Sequence, residues 1–131
     1  MDSARAIPAV NALYATGTWL LDQDRARDAV FVFRAMLVGA PSDERGWIGL
    51  AATHEALGQP DVALELYDVG ALAAKSARCL VGRARLLRAH DRNDEAAEAI
   101  ENAAAFVDNT DEALCQLVAY ELAVTHGGRA A

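Results

Sequence analysis

Three histidines, two cysteines and a cluster of arginines are the residues of this 131-residue chain whose chemistry could serve catalysis or ligation. His54, His90 and His126 stand 36 residues apart in each step and have no carboxylate–nucleophile pattern beside them. HExxH, CxxC, the phosphate-cradling glycine loop and the GxSxG elbow are all missing. An enzyme is therefore not expected, and neither a metal nor another cofactor is implied. Cys79 and Cys115 lie far apart without ligand spacing, so they read as buried structural thiols in a reducing compartment, a disulfide or a metal role being the alternative. Arg78, Arg83, Arg85, Arg88 and Arg92 crowd one segment, and all but Arg83 fall along one helical stripe. Two uses are open: an anion-binding strip, or ion pairs with Glu95, Glu98 and Glu101 on the next helix. The second is expected, with Arg85 or Arg88 facing Glu101.

The elements that position these residues follow from one stretch, Glu44 to Lys75. Trp47 is followed by Leu50 and the small Ala51; after the break Gly58-Gln59-Pro60-Asp61 come Ala63 and Tyr67. Small residues let two antiparallel helices approach, and the large ones fill the space beside the contact. Gly58 ends one helix at low backbone cost, and Pro60 is pre-set for the first turn of the next. A step of 34 residues links Ala29, Ala63 and Ala97, as well as Leu13, Trp47 and Val81. The same step links Val32, Leu66 and Ile100, and it sets Gly17 against Ala51. Phe33 and Tyr67 align with Glu101, and Pro41 closes the first unit. This order and period resemble the tetratricopeptide (TPR) repeat, a helix–turn–helix unit of about 34 residues. His54 falls where that pattern usually has tyrosine, which gives it a packing role.

The fold class expected is all-α: an α-solenoid of three TPR repeats plus a C-terminal capping helix. The parts are an N-terminal extension at 1–8, repeats over 9–109 (about 10–43, 44–77 and 78–109), a capping helix at 110–126 and a frayed tail at 127–131. Helix one should start near Pro8. Ser42 should cap the third helix, Asn93 or Asp94 the sixth, and Asn109 with Glu112 the seventh. Gly127-Gly128 should end the last helix. Leu114, Leu117, Val118 and Leu122 would cover the face that a final repeat otherwise exposes. Leu13, Gly17, Ala29, Phe33, Pro41, Trp47, Leu50, Gly58, Ala63, Tyr67 and Ala97 are the framework. With Glu101 in place of an aromatic and Arg85 in place of a small residue, the third repeat should be the loosest.

Net charge of −7 argues against nucleic acid and against anionic membrane surfaces as partners. No apolar run approaches the roughly 20 residues that span a bilayer, so direct membrane insertion is not expected. The start of the chain does not read as a signal peptide, which makes the cytoplasm the expected location.

A solenoid of this kind binds in its concave groove. Lining positions, counted from the large residue that opens each repeat, are Tyr14, Thr18 and Leu21; Ile48, Ala52 and Glu55; and Gly82, Leu86 and Ala89. TPR domains that grip a terminal carboxylate place Lys and Asn here. Only Asn11, Arg45 and Arg83 are near, so a mostly apolar groove for an extended peptide is the better reading.

Within the TPR class, the sequence resembles the class II chaperones of bacterial type III secretion, which hold hydrophobic translocator proteins. The resemblance is carried by Leu13-Tyr14, Ala29 and Val32-Phe33. It is most specific through Asp43-x-Arg45, Gly49-Leu50-x-Ala52, Gly58-Gln59-x-Asp61-x-Ala63, Tyr67 and Gly70-Ala71. It implies a non-catalytic chaperone that takes a Pro- and Leu-containing N-terminal segment of a translocator into the groove, with a second copy of the chain as a further candidate partner. The sequence departs from the family at two places. Little of the family's further N-terminal helix precedes Pro8, and Thr18 and Leu21 stand where aromatics are usual. A generic TPR adaptor in another bacterial complex is the alternative.

Overall fold

The computed structural model describes residues 3–130, with side chains from Pro8 to Gly127. Seven helices follow one another: α1 (Ser3–Asp22), α2 (Ala26–Gly39), α3 (Glu44–Ala56), α4 (Pro60–Ala73), α5 (Ala77–Ala89), α6 (Asn93–Ala105) and α7 (Glu112–Ala130). Successive helices pack as antiparallel neighbours throughout. Next-nearest packing is one-sided: α1 meets α3, α3 meets α5, and α5 meets α7, whereas α2, α4 and α6 do not meet one another. The odd-numbered row is therefore the tight, inner side of a curved stack, and the even-numbered row is the splayed outer side.

The turns repeat as the helices do. Asp24, Gly58 and Asp91, each between the two helices of a hairpin, have φ of 61°, 72° and 59°. Glycine takes that left-handed conformation without strain, and aspartate tolerates it better than most residues. Pro60 occupies the first turn of α4, as its fixed φ favours.

The core falls into two clusters. The first holds Val10, Leu20, Ala29, Val30, Phe33, Met36 and Leu50; the second runs from Ala51 through α4, α5 and α6 to Leu114 and Val118 of α7. Phe33 and Tyr67 carry their repeats because a glycine faces each ring. A Cβ on Gly49 would collide with the Phe33 ring, and one on Gly82 would come within 2.5 Å of Tyr67 Cε1.

Gly49 and Gly82 are 33 residues apart, and this exposes the main difference from the expected register. The connection between α4 and α5, residues 74–76, is one residue shorter than that between α2 and α3, residues 40–43. The helices of the third hairpin therefore follow the second at 33 residues. Ala84, fully buried, stands where Ala51 does, and Ala96 and Ile100, also fully buried, stand where Ala63 and Tyr67 do. Ala97 is buried as well, one position along. Arg85 and Glu101 thus replace no packing residues, and the reason for a loose third repeat disappears.

Five end signals resolve differently from the sequence expectation. Helix α1 begins at Ser3 and carries Pro8 in its interior. Asp43, not Ser42, caps α3 by accepting from the Arg45 amide at 3.0 Å. Helix α6 starts at Asn93 with Arg92 as its N-cap and no side-chain cap bond. Asp111 accepts from the Leu114 amide at 3.1 Å, while Asp108 closes the preceding turn on Thr110. Helix α7 runs on through Gly127 to Ala130. Residues 1–2 and 131, parts of the expected extension and tail, lie outside the described residues.

Candidate functional site: the concave groove

The inner row of helices carries a cavity of about 400 Å³ where α3, α5 and α7 meet. Its apolar floor is Ile48 of α3, Val81, Gly82 and Leu86 of α5, and Leu117 of α7. Ile48 and Leu117 are only half-buried, so apolar surface is left for another molecule to cover. Polar groups stand at the edge: Glu55, Tyr67, Arg78 and Arg85. Tyr67 donates its hydroxyl to Glu55 Oε2 at 2.7 Å, and burial followed by that bond pushes the phenol well above its usual range. Tyr67 is therefore a neutral donor with its partner in place.

The four arginines of α5 have anionic partners other than those expected, whereas Arg92, just beyond α5, pairs with Glu95 as expected. Arg78 reaches Glu44 at 3.1 Å and Asp111 at 3.4 Å, tying α5 to α3 and to the start of α7. Arg83 pairs with Asp68 at 3.3 Å, and Arg92 with Glu95. Arg85 and Arg88 both turn to Glu121 of α7, at 2.7 and 3.0 Å, and not to Glu101. Glu121 is only 1% exposed. Glu101 instead lies 3.4 Å from His126, on the surface.

Of the residues expected to line the groove, Ile48, Glu55, Gly82, Leu86 and Ala89 meet at this cavity. Tyr14, Thr18, Leu21 and Ala52 do not border it. Tyr14 lies further along the inner row, exposed, with the Arg45 guanidinium 5.1 Å from its ring centroid. Arg45 is committed to Asp43 and to Asn11 Oδ1 at 3.0 Å, so Arg45 and Asn11 are used in tying α3 to α1. Hydrogen bonding to Arg45 also holds the Asp43 carboxyl below its usual range. The sequence reading missed Val81 and Arg85 because of the one-residue register difference. It missed Leu117 because α7 reads as a cap, whereas it also serves as a groove wall.

Of the other residues singled out for chemistry, His54 has a local partner. His54 Nδ1 lies 2.7 Å from Gln59 Oε1, which joins α3 to the N-cap of α4. Cys79 is fully buried, and desolvation pushes its thiol up to about 11; Cys115 is half-buried, and both are free thiols. Among the described residues, no group of three or more His, Cys, Asp or Glu is placed to hold a metal, and no helix is long and apolar enough to cross a membrane. A second cavity of about 430 Å³ opens on the outer side, lined by Val69, Leu72, Leu80 and Phe106, where alanine-rich α6 leaves the splay beside α4 unfilled.

No protein-family model matches the sequence, and no curated protein is similar enough to count as a relative. Solved structures are similar over almost the whole chain. The type III secretion chaperone SycD of Yersinia enterocolitica, in complex with a peptide of the translocator YopD, is 27% identical, with a TM-score of 0.70 over 91% of this chain and 93% of that one. The fold is that of a class II type III secretion translocator chaperone. SycD in an alternative dimer gives a TM-score of 0.73 at 26% identity, over 93% and 95% of the two chains. A second protein, PcrH of Pseudomonas aeruginosa in complex with the chaperone binding region of PopD, gives 0.72 at 25% identity, over 91% and 92%.

Proposed function

We propose that the chain is a non-catalytic secretion chaperone of the bacterial cytoplasm. It holds an extended apolar segment of a hydrophobic type III translocator in its concave groove and so keeps that client soluble and competent for export. One observation carries this reading: an apolar-floored cavity on the inner face of a fold shared with SycD, solved with a peptide of the translocator YopD, and with PcrH, solved with the chaperone binding region of PopD. Tyr14, Thr18, Leu21, Ile48, Ala52, Glu55, Gly82 and Leu86 form the surface assigned to the client, with Val81 and Leu117 added to its floor. A second copy of the chain is a further partner, in line with the SycD dimer.

The action needs no bond-making step. A groove that covers an apolar segment lowers the free concentration of the aggregating species by mass action. A micromolar grip corresponds to about 8 kcal/mol, enough to protect the client and still let it go at the secretion gate.

Co-expression with a candidate translocator tests the proposal through the fraction of client that stays soluble. Ile48→Glu puts a charge into the floor and is expected to abolish protection; Tyr14→Glu, at the edge of the surface, is expected to weaken it. A client that stays soluble with both variants would overturn the groove assignment.

A further inference from the structure

One buried carboxylate serves two guanidinium groups where α5 meets α7. Glu121 Oε1 accepts from Arg85 Nε at 2.7 Å and Oε2 from Arg88 Nη1 at 3.0 Å, so the trio carries one positive charge in excess. Arg88 directs the same Nη1 to Thr125 at 3.0 Å and is 28% exposed. Arg85 is 54% exposed, borders the cavity, and is engaged through Nε alone among the described residues. A buried anion thus holds Arg85 at the border of the cavity through Nε, which leaves the Nη groups of its fork for a ligand. Of the other charges at the cavity, Arg78 faces Glu44 and Asp111, while Glu55 accepts from the neutral Tyr67 hydroxyl and keeps its negative charge, so an incoming carboxylate is favoured only on the Arg85 side of the floor.

We propose that the groove selects a client segment with an apolar anchor side chain and an Asp or Glu close to it in sequence. The anchor enters the floor made by Ile48, Val81, Leu86 and Leu117, and the carboxylate pairs with the outer edge of Arg85. This rests on the peptide-binding reading above and adds the chemistry of the peptide. A protein of net charge −7 repels acidic segments in general, so the preference must originate at this one site. A guanidinium edge suits the purpose because it meets a carboxylate through two parallel N–H donors.

The probe is a set of fluorescein-labelled nonapeptides of alanine and serine around a central leucine, with Asp, Asn or Lys at each flanking position. Each is titrated against the full chain by fluorescence anisotropy. The best Asp peptide is expected to bind about five- to tenfold more tightly than its Asn twin, the range of a half-exposed charge-assisted bond. That ratio should fall towards one in Arg85→Gln, persist in part in Arg85→Lys, and shrink as salt shortens the Debye length. The Asp–Asn comparison on the unaltered chain does not depend on how any variant folds. Equal binding of Asp and Asn peptides, or a preference for Lys, would overturn the inference while leaving the groove intact. No binding by any member would overturn the peptide groove itself, and the inference with it.

Discussion

Replacing Glu121 with alanine separates two accounts of how the last helix is held. The carboxylate accepts two charge-assisted bonds, each worth about 1.5–3 kcal/mol when fully formed. Its partners are 54% and 28% exposed, so both regain water once released, and that offsets roughly half of the loss. A net cost of about 1.5–3 kcal/mol remains, which for a domain of this size corresponds to a Tm lower by about 6–12 °C. Glu101, 53% exposed and facing His126, is the partner that helix periodicity favours; its removal should cost about 0–0.5 kcal/mol and move Tm by less than about 2 °C. Thermal unfolding of the two alanine variants, followed by far-UV circular dichroism, measures both numbers. Glu121→Gln, which keeps the shape and loses the charge, should fall between them. A Glu101→Ala variant as damaged as Glu121→Ala would refute the reasoning.

Two further expectations concern the core. Gly49→Ala drives a methyl group into the ring of fully buried Phe33 and should cost about 1–3 kcal/mol in urea unfolding, whereas Gly39→Ala, which faces open space, should cost nothing measurable. Cys79 should resist a thiol reagent in the folded protein and react after unfolding, because its thiol is inaccessible and burial favours the neutral form. The same displacement sets a pH window. The folded-state value lies above the ordinary 9.0, so the stability it contributes is whole below pH 9 and is lost as pH climbs towards about 11. A Cys79→Ala control should lose less stability across that interval; equal losses in the two proteins would contradict this assignment.

Large residues made the first two hairpins legible from sequence. Trp47, Leu50, Phe33 and Tyr67 can each occupy only one register, because a shift by one would bury a charge or expose a ring. The third hairpin offered no such constraint. Helix α6 reads Ala96-Ala97 and Ala103-Ala104-Ala105, so a slip of one residue exchanges one alanine for another and the pattern stays plausible. A single residue lost between α4 and α5 therefore went unseen, and with it the true neighbours of Arg85 and Glu101. The helix starts were missed for a related reason: Ser42 and Asp43, or Asn109 and Asp111, are all competent caps, and backbone geometry makes the choice. In the groove, Ile48 and Glu55 could be read from spacing. Leu117 could not, because it reaches the cavity from a helix that the repeat does not describe.

Among the described residues, contacts in this stack reach from a helix to the next and, in the odd-numbered row, to the one after, and no further. Such an assembly behaves like a ruler graduated in hairpins. Adding or deleting one internal hairpin would lengthen or shorten the trough by a fixed increment while the rest kept its local geometry, so the length of the inner surface is set by the number of hairpins.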